Sequence, residues 1–242
     1  MELDILAIGA HPDDVELCCS GTIAKAAEDG YKVGILDLTE GEFGTRGSKE
    51  IRAREARKAA IILGARVREN LHLPDTGIEI NRKTVLKVIE VLRRYKPKIL
   101  LIPFSRERHP DHEHAHRLCR EAGFYSGLRR ITTKFKGKTQ APWRPSAVLQ
   151  FMQWYEFTPS LVVDITAVYR KREKAIMAFS SQFYNPTSKE PQTMLSQKSF
   201  LEFVEARARL FGGKIGVQYG EPFYSDEQIG VKNLFDLQMA KG

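Results

Sequence analysis

Short apolar runs alternate with helical patterns through the first half of the chain, and this alternation constrains the fold more than any other feature of the sequence. Strands that alternate with helices are typical of a parallel sheet with helices on both faces. The sequence therefore predicts an α/β fold: a Rossmann-like, mostly parallel sheet with an elaborated C-terminal part. The predicted buried strands of this half are residues 3–10, 33–38, 67–71 and 99–104.

Helix signals occupy the segments between these strands. Ser48 is the predicted N-cap of a helix that runs to Gly64, and an earlier helix stops at Gly30. Another helix ends before Pro97, because the residue that precedes a proline disfavours helical backbone. Its apolar residues fall at i, i+3, i+4 and i+7 and so share one face, and they are Val85, Val88, Ile89 and Leu92.

Beyond residue 145 the pattern becomes less regular. Strands are predicted over 147–152 and 161–163, and helices over 166–179 and 200–211. No internal repeat, low-complexity tract or linker divides the chain. We therefore expect a single domain over residues 1–242.

Composition excludes several classes of protein. Of the 242 residues, 42% are apolar, which is enough for a buried core and excludes intrinsic disorder. No apolar run approaches the roughly 18 residues of a membrane helix, and acidic residues near Met1 stand where a signal peptide carries positive charge. We therefore expect a cytoplasmic protein without membrane contact. The three cysteines have no CxxC spacing, which argues against a structural zinc or a redox pair.

The formal net charge is +8, and much of it comes from one stretch. Residues 122–155 contain no Asp or Glu. A solvated basic loop or an oligomer contact is the preferred interpretation, and a nucleic-acid surface is second because no binding motif or regular aromatic interleaving is present. The basic residues of this stretch are Arg129, Arg130, Lys134, Lys136, Lys138 and Arg144.

Two polar clusters follow predicted strands: AHPDDVE at 10–16 and HPDH at 109–112. The carboxyl ends of neighbouring parallel strands meet at one sheet edge, where such sheets bind ligands, so we expect the two clusters to face each other. Imidazole and carboxylate groups bind borderline divalent metals, and catalytic zinc typically takes three protein ligands and leaves one position to water. The first cluster can bring His11 and Asp14 onto one ion, with a third ligand from the second cluster.

Each cluster alone has an ordinary explanation. A His-Pro-Asp sequence is usually a turn with an Asx hydrogen bond, and Asp13 with Asp14 could simply cap the next helix. Two such clusters, each just past a predicted strand end, favour a metal site.

The neighbouring residues suit the remaining chemistry. Asp13 lies next to the ligand Asp14 without being a ligand itself, which suits a general base acting on a metal-bound water, whose pKa falls to about 7. In the second cluster His112 binds the metal, while His109 and Asp111 form an imidazole–carboxylate pair. A protonated His109 would stabilise an oxyanion or protonate a leaving amine. The alternative is that this pair only orients a metal ligand.

The motifs AHPDDVE and RHPDH resemble those of the LmbE-like (PIG-L) zinc N-deacetylases, which remove acetyl groups from N-acetylglucosamine conjugates. Other segments are similar to the members of this family that act on N-acetylglucosaminyl-L-malate in bacillithiol biosynthesis. The resemblance spans nearly the whole chain. The later segments are SGTIAK (20–25), GEFGTRGS (41–48), WRP (143–145), SSQFYNPTSKEPQT (180–193) and NLFDL (233–237).

The resemblance implies a ligand set and roles for the neighbouring residues. Asp13 would be the general base, and His109, held by Asp111, would stabilise the tetrahedral intermediate. The cofactor would be zinc, with iron(II) as the alternative. The metal ligands would be His11, Asp14 and His112.

The resemblance also implies a substrate and an assembly. Amide hydrolysis would release acetate and glucosaminyl-L-malate from a small-molecule conjugate with an anionic aglycone, and the enzyme would be a homo-oligomer. Arg52 and Arg108 match arginines that the family places near substrate, and arginine suits bidentate recognition of the malate carboxylates. The ordinary alternatives are that Arg52 lies on a helix surface and that Arg108 pairs with Glu107.

Three other functions remain as alternatives. Two His and one carboxylate also describe the facial triad of non-haem iron(II) oxygenases, although those sites do not call for an adjacent free carboxylate. A non-enzymatic module that binds nucleic acid through 122–155 would leave both His/Asp clusters unexplained. The third alternative keeps the deacetylation and changes the substrate to another N-acetylglucosamine conjugate, such as a chitin disaccharide.

Overall fold

A seven-stranded, mostly parallel sheet forms the centre of the protein in a computed structural model that describes residues 1–237. The strand order is β3-β2-β1-β4-β7-β9-β8, and only the pairs of β9 with β7 and with β8 are antiparallel. A separate two-stranded hairpin consists of β5 and β6. The strands are β1 Ile5–Gly9, β2 Val33–Thr39, β3 Val67–Leu73, β4 Ile99–Pro103, β5 Lys134–Phe135, β6 Lys138–Thr139, β7 Ala147–Phe151, β8 Leu161–Asp164 and β9 Gly220–Tyr224.

Helices cover both faces of this sheet. Side chains alternate along each strand, so Ile5 and Ala7 of β1 join one core while Leu6 and Ile8 join the other. The first core packs against α1, α2, α5 and α6, and the second packs against α3 and α4. The α/β fold class predicted from the sequence is confirmed. The helices are α1 Asp14–Glu28, α2 Lys49–Leu63, α3 Arg82–Tyr95, α4 Pro110–Tyr125, α5 Tyr169–Met177 and α6 Lys198–Lys214.

The strand order reverses between β1 and β4. The chain winds outwards from β1 to β2 and β3, then returns to place β4 on the other side of β1. Ile5 of β1 lies opposite Ile99 of β4, and the two strands are parallel. Their carboxyl ends therefore open at the same edge, and a crevice forms where the strand order reverses.

Local signals in the sequence account for most element boundaries. The Ser48 side chain accepts a hydrogen bond from the Ile51 N–H at 3.4 Å, and Gly64 ends α2 with a left-handed backbone at φ 76°. The predicted apolar face of α3 is buried against the sheet. The predicted helix over 166–179 is a 3₁₀ turn, Thr166–Val168, followed by α5.

Among the described strands and α-helices, β5, β6, β9 and α4 were not predicted. The three strands are short, whereas α4 has a helical signal in the sequence. That signal is the i, i+3, i+4, i+7 spacing of Ala115, Leu118, Cys119 and Ala122, all fully buried.

The basic stretch 122–155 packs partly against α3. The buried Arg93 guanidinium of α3 donates to the backbone carbonyls of Ser126, Leu128 and Ile131 and so fixes the start of the stretch. Its own basic side chains are exposed, which agrees with a solvated surface. Among the described residues we find no helix with the length and apolar character needed to span a membrane. The single domain over 1–242 stays a prediction, and its residues 238–242 lie outside the described residues.

Buried charged side chains from distant elements form hydrogen bonds with the backbone groups at a kink in α1. Cys19 has φ −145°, so the helical hydrogen bonds are interrupted there. The Glu221 carboxylate of β9 accepts the N–H groups of Gly21 and Thr22 at 2.9 and 2.7 Å. The Arg172 guanidinium of α5 donates to Glu221 at 3.0 Å and to the Leu17 carbonyl at 2.8 Å. Every polar group that the kink frees at these positions therefore has a partner.

We predict that Glu221→Ala destabilises the protein strongly. The substitution leaves the buried Arg172 guanidinium without its carboxylate, and breaking a buried ion pair costs about 3–5 kcal/mol. The free energy of unfolding, measured by urea denaturation, should fall by that amount. Glu173→Ala removes the partner of the exposed Arg170 and should change the free energy of unfolding by less than about 0.5 kcal/mol. A loss below about 1 kcal/mol for Glu221→Ala would contradict this account of the kink.

Candidate active site

Two turns at the carboxyl edge of the sheet bring the predicted site residues together. The first lies between β1 and α1, and the second joins β4 to α4. In the second turn His109 is the N-cap of α4, its ring Nδ1 accepts the Asp111 N–H at 3.2 Å, and Pro110 occupies the first helical position. Because β1 and β4 are adjacent and parallel, both helix starts face the same crevice.

The donor atoms of His11, Asp14 and His112 all lie within 4.8 Å of one another. His11 Nδ1 lies 3.6 Å from Asp14 Oδ2, and His112 Nε2 lies 3.2 Å from Asp14 Oδ1. Ligands at about 2.1 Å from a tetrahedral zinc are about 3.4 Å apart, so this spacing fits a zinc ion. Two imidazoles and one carboxylate are also a donor set that zinc prefers.

Asp13 is held beside these groups in a strained conformation. Its φ of 120° is rare for any residue other than glycine, and such strain persists only where the surroundings fix it. The Arg52 guanidinium contacts the Asp13 carboxylate at 3.1 Å and the Pro12 carbonyl at 2.6 Å. Burial raises the pKa of Asp13 to about 7, although the charge of Arg52 acts against this shift.

Arg52 is buried rather than exposed on the surface of its helix. The residue is 5% exposed, and its guanidinium also donates to the Gly41 carbonyl at 3.2 Å. A side chain at Gly41 would overlap the guanidinium, so the close approach requires glycine there. Arg52 thus contacts Asp13 and two backbone carbonyls, and the substrate contact that the resemblance implies for it stays a prediction.

The His109 ring and the Asp111 carboxylate have donor atoms within 4.8 Å of each other, but the carboxylate makes its hydrogen bonds elsewhere. The Asp111 carboxylate accepts from His11 Nε2 at 3.3 Å and from the Thr76 N–H at 2.8 Å, so its partner is a different histidine. The His109 ring contacts the Asp111 backbone instead. Burial lowers the pKa of His109, and the nearby His11 and His112 act in the same direction.

Asp75, which the sequence reasoning missed, makes a second contact with His11. Its Oδ1 lies 3.1 Å from His11 Nε2, and its Oδ2 accepts the Phe43 N–H at 2.8 Å. The adjacent Thr76 has φ 58°, a strained value for a β-branched residue. The sequence does contain a signal for Asp75. The turn Pro-Asp-Thr-Gly in LPDTG directly follows β3, and β3 ends at the same edge of the sheet as β1 and β4.

Arg108 remains available to a ligand. Its side chain is exposed, and its guanidinium lies over the Trp154 ring at 4.8 Å from the centroid. The predicted alternative, a pairing with Glu107, occurs only through the Arg108 backbone N–H at 3.2 Å. Glu107 also accepts the Trp154 N–H at 3.0 Å and so holds the residue on which Arg108 stacks.

Most of these residues line one cavity of about 440 Å³. Its polar side contains His11, Asp13, Asp14, Arg52, Asp75, Arg108, His109 and His112. The opposite wall is largely apolar and comes from α1, α6 and the segment before α6. Its members include Leu17, Met194, Leu195, Phe200, Phe203 and Val204.

A family model and several known proteins match the chain. The model of the GlcNAc-PI de-N-acetylase (PIG-L) family matches residues 6–123. Diacetylchitobiose deacetylase of Thermococcus kodakarensis is 31% identical over 189 residues, which cover 74% of this chain and 70% of that protein.

Two further relatives cover most of the chain. The crystal structure of a conserved protein from Thermus thermophilus superimposes with a TM-score of 0.84 at 36% identity, over 95% of this chain and 98% of that one. The 4-oxalmesaconate hydratase of Pseudomonas putida is 28% identical and matches 73% of each chain. The relatives of this chain therefore include both a deacetylase and a hydratase.

We predict that, in the metal-free protein, Asp75→Asn weakens the dependence of the free energy of unfolding on pH between about pH 4 and pH 2. Burial acts to raise the pKa of Asp75, but hydrogen bonds from His11, Phe43 and Thr76 outweigh it and lower this pKa to about 2, below the usual 3.8. The stability due to Asp75 is thus complete above about pH 4 and is lost as the pH falls towards 2.

The measurement is urea unfolding of wild type and variant at several pH values between 4 and 2. The wild-type free energy of unfolding should fall more steeply than that of Asp75→Asn. Asp29→Asn removes a surface carboxylate paired with Lys25 and serves as the charge-matched control. Equal slopes for wild type and Asp75→Asn would contradict the prediction.

Proposed function

The chain belongs to the PIG-L family of deacetylases, and within this family we propose that it removes the acetyl group from N-acetylglucosaminyl-L-malate, with zinc bound by His11, Asp14 and His112. The observation that carries the proposal is the convergence of these three side chains with Asp13 in one cavity. Deacetylation of N-acetylglucosamine compounds agrees with the diacetylchitobiose deacetylase relative.

The metal would be held by two imidazoles and a carboxylate on two adjacent helix starts. When bound there, a divalent cation polarises an amide carbonyl and lowers the pKa of a coordinated water. Zinc is the proposed ion, and iron(II) is the alternative because the same donor types bind both. The contacts of His11 Nε2 with Asp75 and Asp111 support this assignment, since carboxylates that hold a ligand histidine fix its tautomer and its ring orientation.

Asp13 is the proposed general base. It is buried next to Asp14, it lies outside the ligand set, and Arg52 fixes its carboxylate at 3.1 Å. A carboxylate in this position can accept the proton of the attacking water and later transfer it towards the departing amine. Arg52 is thus proposed as a positioning residue for Asp13.

His109 is the proposed donor to the acetyl oxygen. Its ring is half-buried, lines the cavity and lies 5.1 Å from the His112 ring, centroid to centroid. Its Nδ1 accepts the Asp111 N–H, which leaves Nε2 for the developing oxyanion or the leaving nitrogen. Asp111 is proposed to act through His11, because its carboxylate contacts that ring at 3.3 Å.

Arg108 is the proposed contact for the anionic aglycone. Arg108 lines the cavity with its guanidinium over the Trp154 ring, and an arginine that lies over an aromatic ring can still bind a carboxylate through its N–H groups. A chitin disaccharide is the alternative substrate, and the diacetylchitobiose deacetylase relative favours it. A homo-oligomer and a location in the cytoplasm remain parts of the proposal that rest on the resemblance and on the sequence.

We predict that Asp13→Asn lowers kcat by at least about 100-fold, because an amide cannot accept the proton of the attacking water. Acetate and free amine released from N-acetylglucosaminyl-L-malate measure the rate, and bound zinc per chain measures the metal site. The variant should retain zinc, whereas His112→Ala should lose it. Near-normal turnover by Asp13→Asn would remove Asp13 from the role of base.

We predict that Arg108→Ala raises KM for N-acetylglucosaminyl-L-malate by about 10-fold or more, since a hydrogen bond to a charged group contributes about 1.5–3 kcal/mol. KM for N,N'-diacetylchitobiose should change little, because that substrate has no carboxylate. Arg106→Ala is the matched control, as Arg106 is an exposed arginine that stacks on Tyr155 outside the cavity lining. Equal effects of Arg108→Ala on both substrates would contradict the malate assignment. Release of no acetate from either substrate would contradict deacetylation itself.

A further inference from the structure

We propose that Gln153 is a positioning residue that fixes the Asp14 carboxylate for the metal, and that Arg207 fixes Gln153 in turn. This inference rests on the metal site proposed above and adds a contribution from the C-terminal half of the chain. Gln153 follows β7, the strand next to β4, and it lies at the same edge of the sheet as the two turns.

The side chain of Gln153 reaches the proposed ligands directly. Its Nε2 donates to Asp14 Oδ1 at 3.0 Å and lies 3.5 Å from His112 Nε2. Asp14 Oδ1 is the oxygen that faces His112, while Oδ2 accepts the His11 N–H at 2.9 Å. The two oxygens of Asp14 are therefore held from opposite sides, one by a backbone N–H and the other by the Gln153 amide.

A neutral amide suits this task better than a charged donor. The N–H of Gln153 restricts rotation of the Asp14 carboxylate without adding a positive charge that would repel a cation. Groups that hydrogen-bond a metal ligand typically change metal affinity by 10–100-fold. The geometry therefore assigns Gln153 an effect on metal binding that is separate from its packing.

The backbone of Gln153 is fixed by Arg207 of α6. The Arg207 guanidinium, which is buried, donates to the Gln153 carbonyl and lies 3.4 Å from the Leu17 carbonyl of α1. Asp14 opens the same helix α1. One guanidinium thus connects α6 to the residue that holds Asp14 and to the helix that carries it.

The amide oxygen of Gln153 indicates that packing alone does not explain a glutamine at this position. Its Oε1 is buried without a hydrogen-bond partner among the described residues. An unpaired buried oxygen lowers stability, and an apolar side chain of the same length would avoid that loss. A glutamine in this position is explained by what its N–H does at Asp14.

The test compares zinc affinity in two variants of nearly the same shape. Gln153→Met removes the donor, so the dissociation constant for Zn²⁺, measured by competition with a chelator, should rise by about 10-fold or more. Gln153→Glu replaces the donor by a carboxylate near the cation, so zinc should bind more tightly than in wild type, and the metal-free Tm should fall because two carboxylates repel each other.

Gln182→Met is the matched control. Gln182 is another glutamine of the cavity lining, but its Nε2 donates to the Arg46 carbonyl at 2.7 Å and to Ser181 rather than to a proposed ligand. The zinc affinity of Gln182→Met should stay within about 2-fold of that of wild type. The Tm of each metal-free variant separates loss of folding from loss of metal binding.

Distinct outcomes overturn the inference. Zinc binding by Gln153→Met within about 2-fold of wild type, or equal weakening by Gln153→Met and Gln153→Glu, would show that only packing matters. If Gln153→Met does not fold, Gln153→Leu decides, because leucine also lacks the donor, and zinc binding within about 2-fold of wild type then rejects the role. If His112→Ala binds zinc as tightly as wild type does, the proposed metal site is wrong, and the inference falls with it.

Discussion

The parallel pairing of β1 with β4 is the constraint on which the site depends. These strands are distant in sequence, and each is followed by a turn and a helix. Because they lie side by side and run in the same direction, the starts of α1 and α4 meet at one edge of the sheet. Since α1 covers one face of the sheet and α4 the other, the crevice between their N-termini stays open to a ligand.

Burial of so many charged groups requires compensation, and the structure provides it through specific partners. Arg52 contacts Asp13, and both Asp75 and Asp111 contact His11 Nε2. Burial acts to lower the pKa of His11, but the carboxylates of Asp111, Asp14 and Asp75 accept hydrogen bonds from its ring and raise this pKa well above its usual value. The strained backbone of Asp13 fits the same pattern, because a conformation of this kind persists only where neighbouring contacts outweigh its cost.

The C-terminal half contributes the part of the site that is least visible in the sequence. It supplies the apolar wall of the cavity, the Trp154 ring under Arg108, and the buried Arg172 and Arg207 that contact the kinked helix α1. Because the kink lies within five residues of Asp14, contacts that satisfy it also constrain where α1 begins. The first half alone would therefore lack both a wall of the cavity and the contacts that fix α1.

Local patterns were sufficient for most of the fold and for the residue types of the site. Strand runs, the Ser48 cap and the α3 face follow from backbone hydrogen bonding within a few residues, which leaves a periodic signal in the sequence. The choice of partners required the tertiary structure: Asp111 contacts His11 rather than His109, Arg52 is buried against Asp13, and Gln153 reaches Asp14 across 139 positions. Such contacts depend on strand order and on the rotation of each helix against the sheet. Neither leaves a local pattern, which is why Gln153 became visible only in three dimensions, and why the turn that carries Asp75 does not by itself reveal the contact with His11.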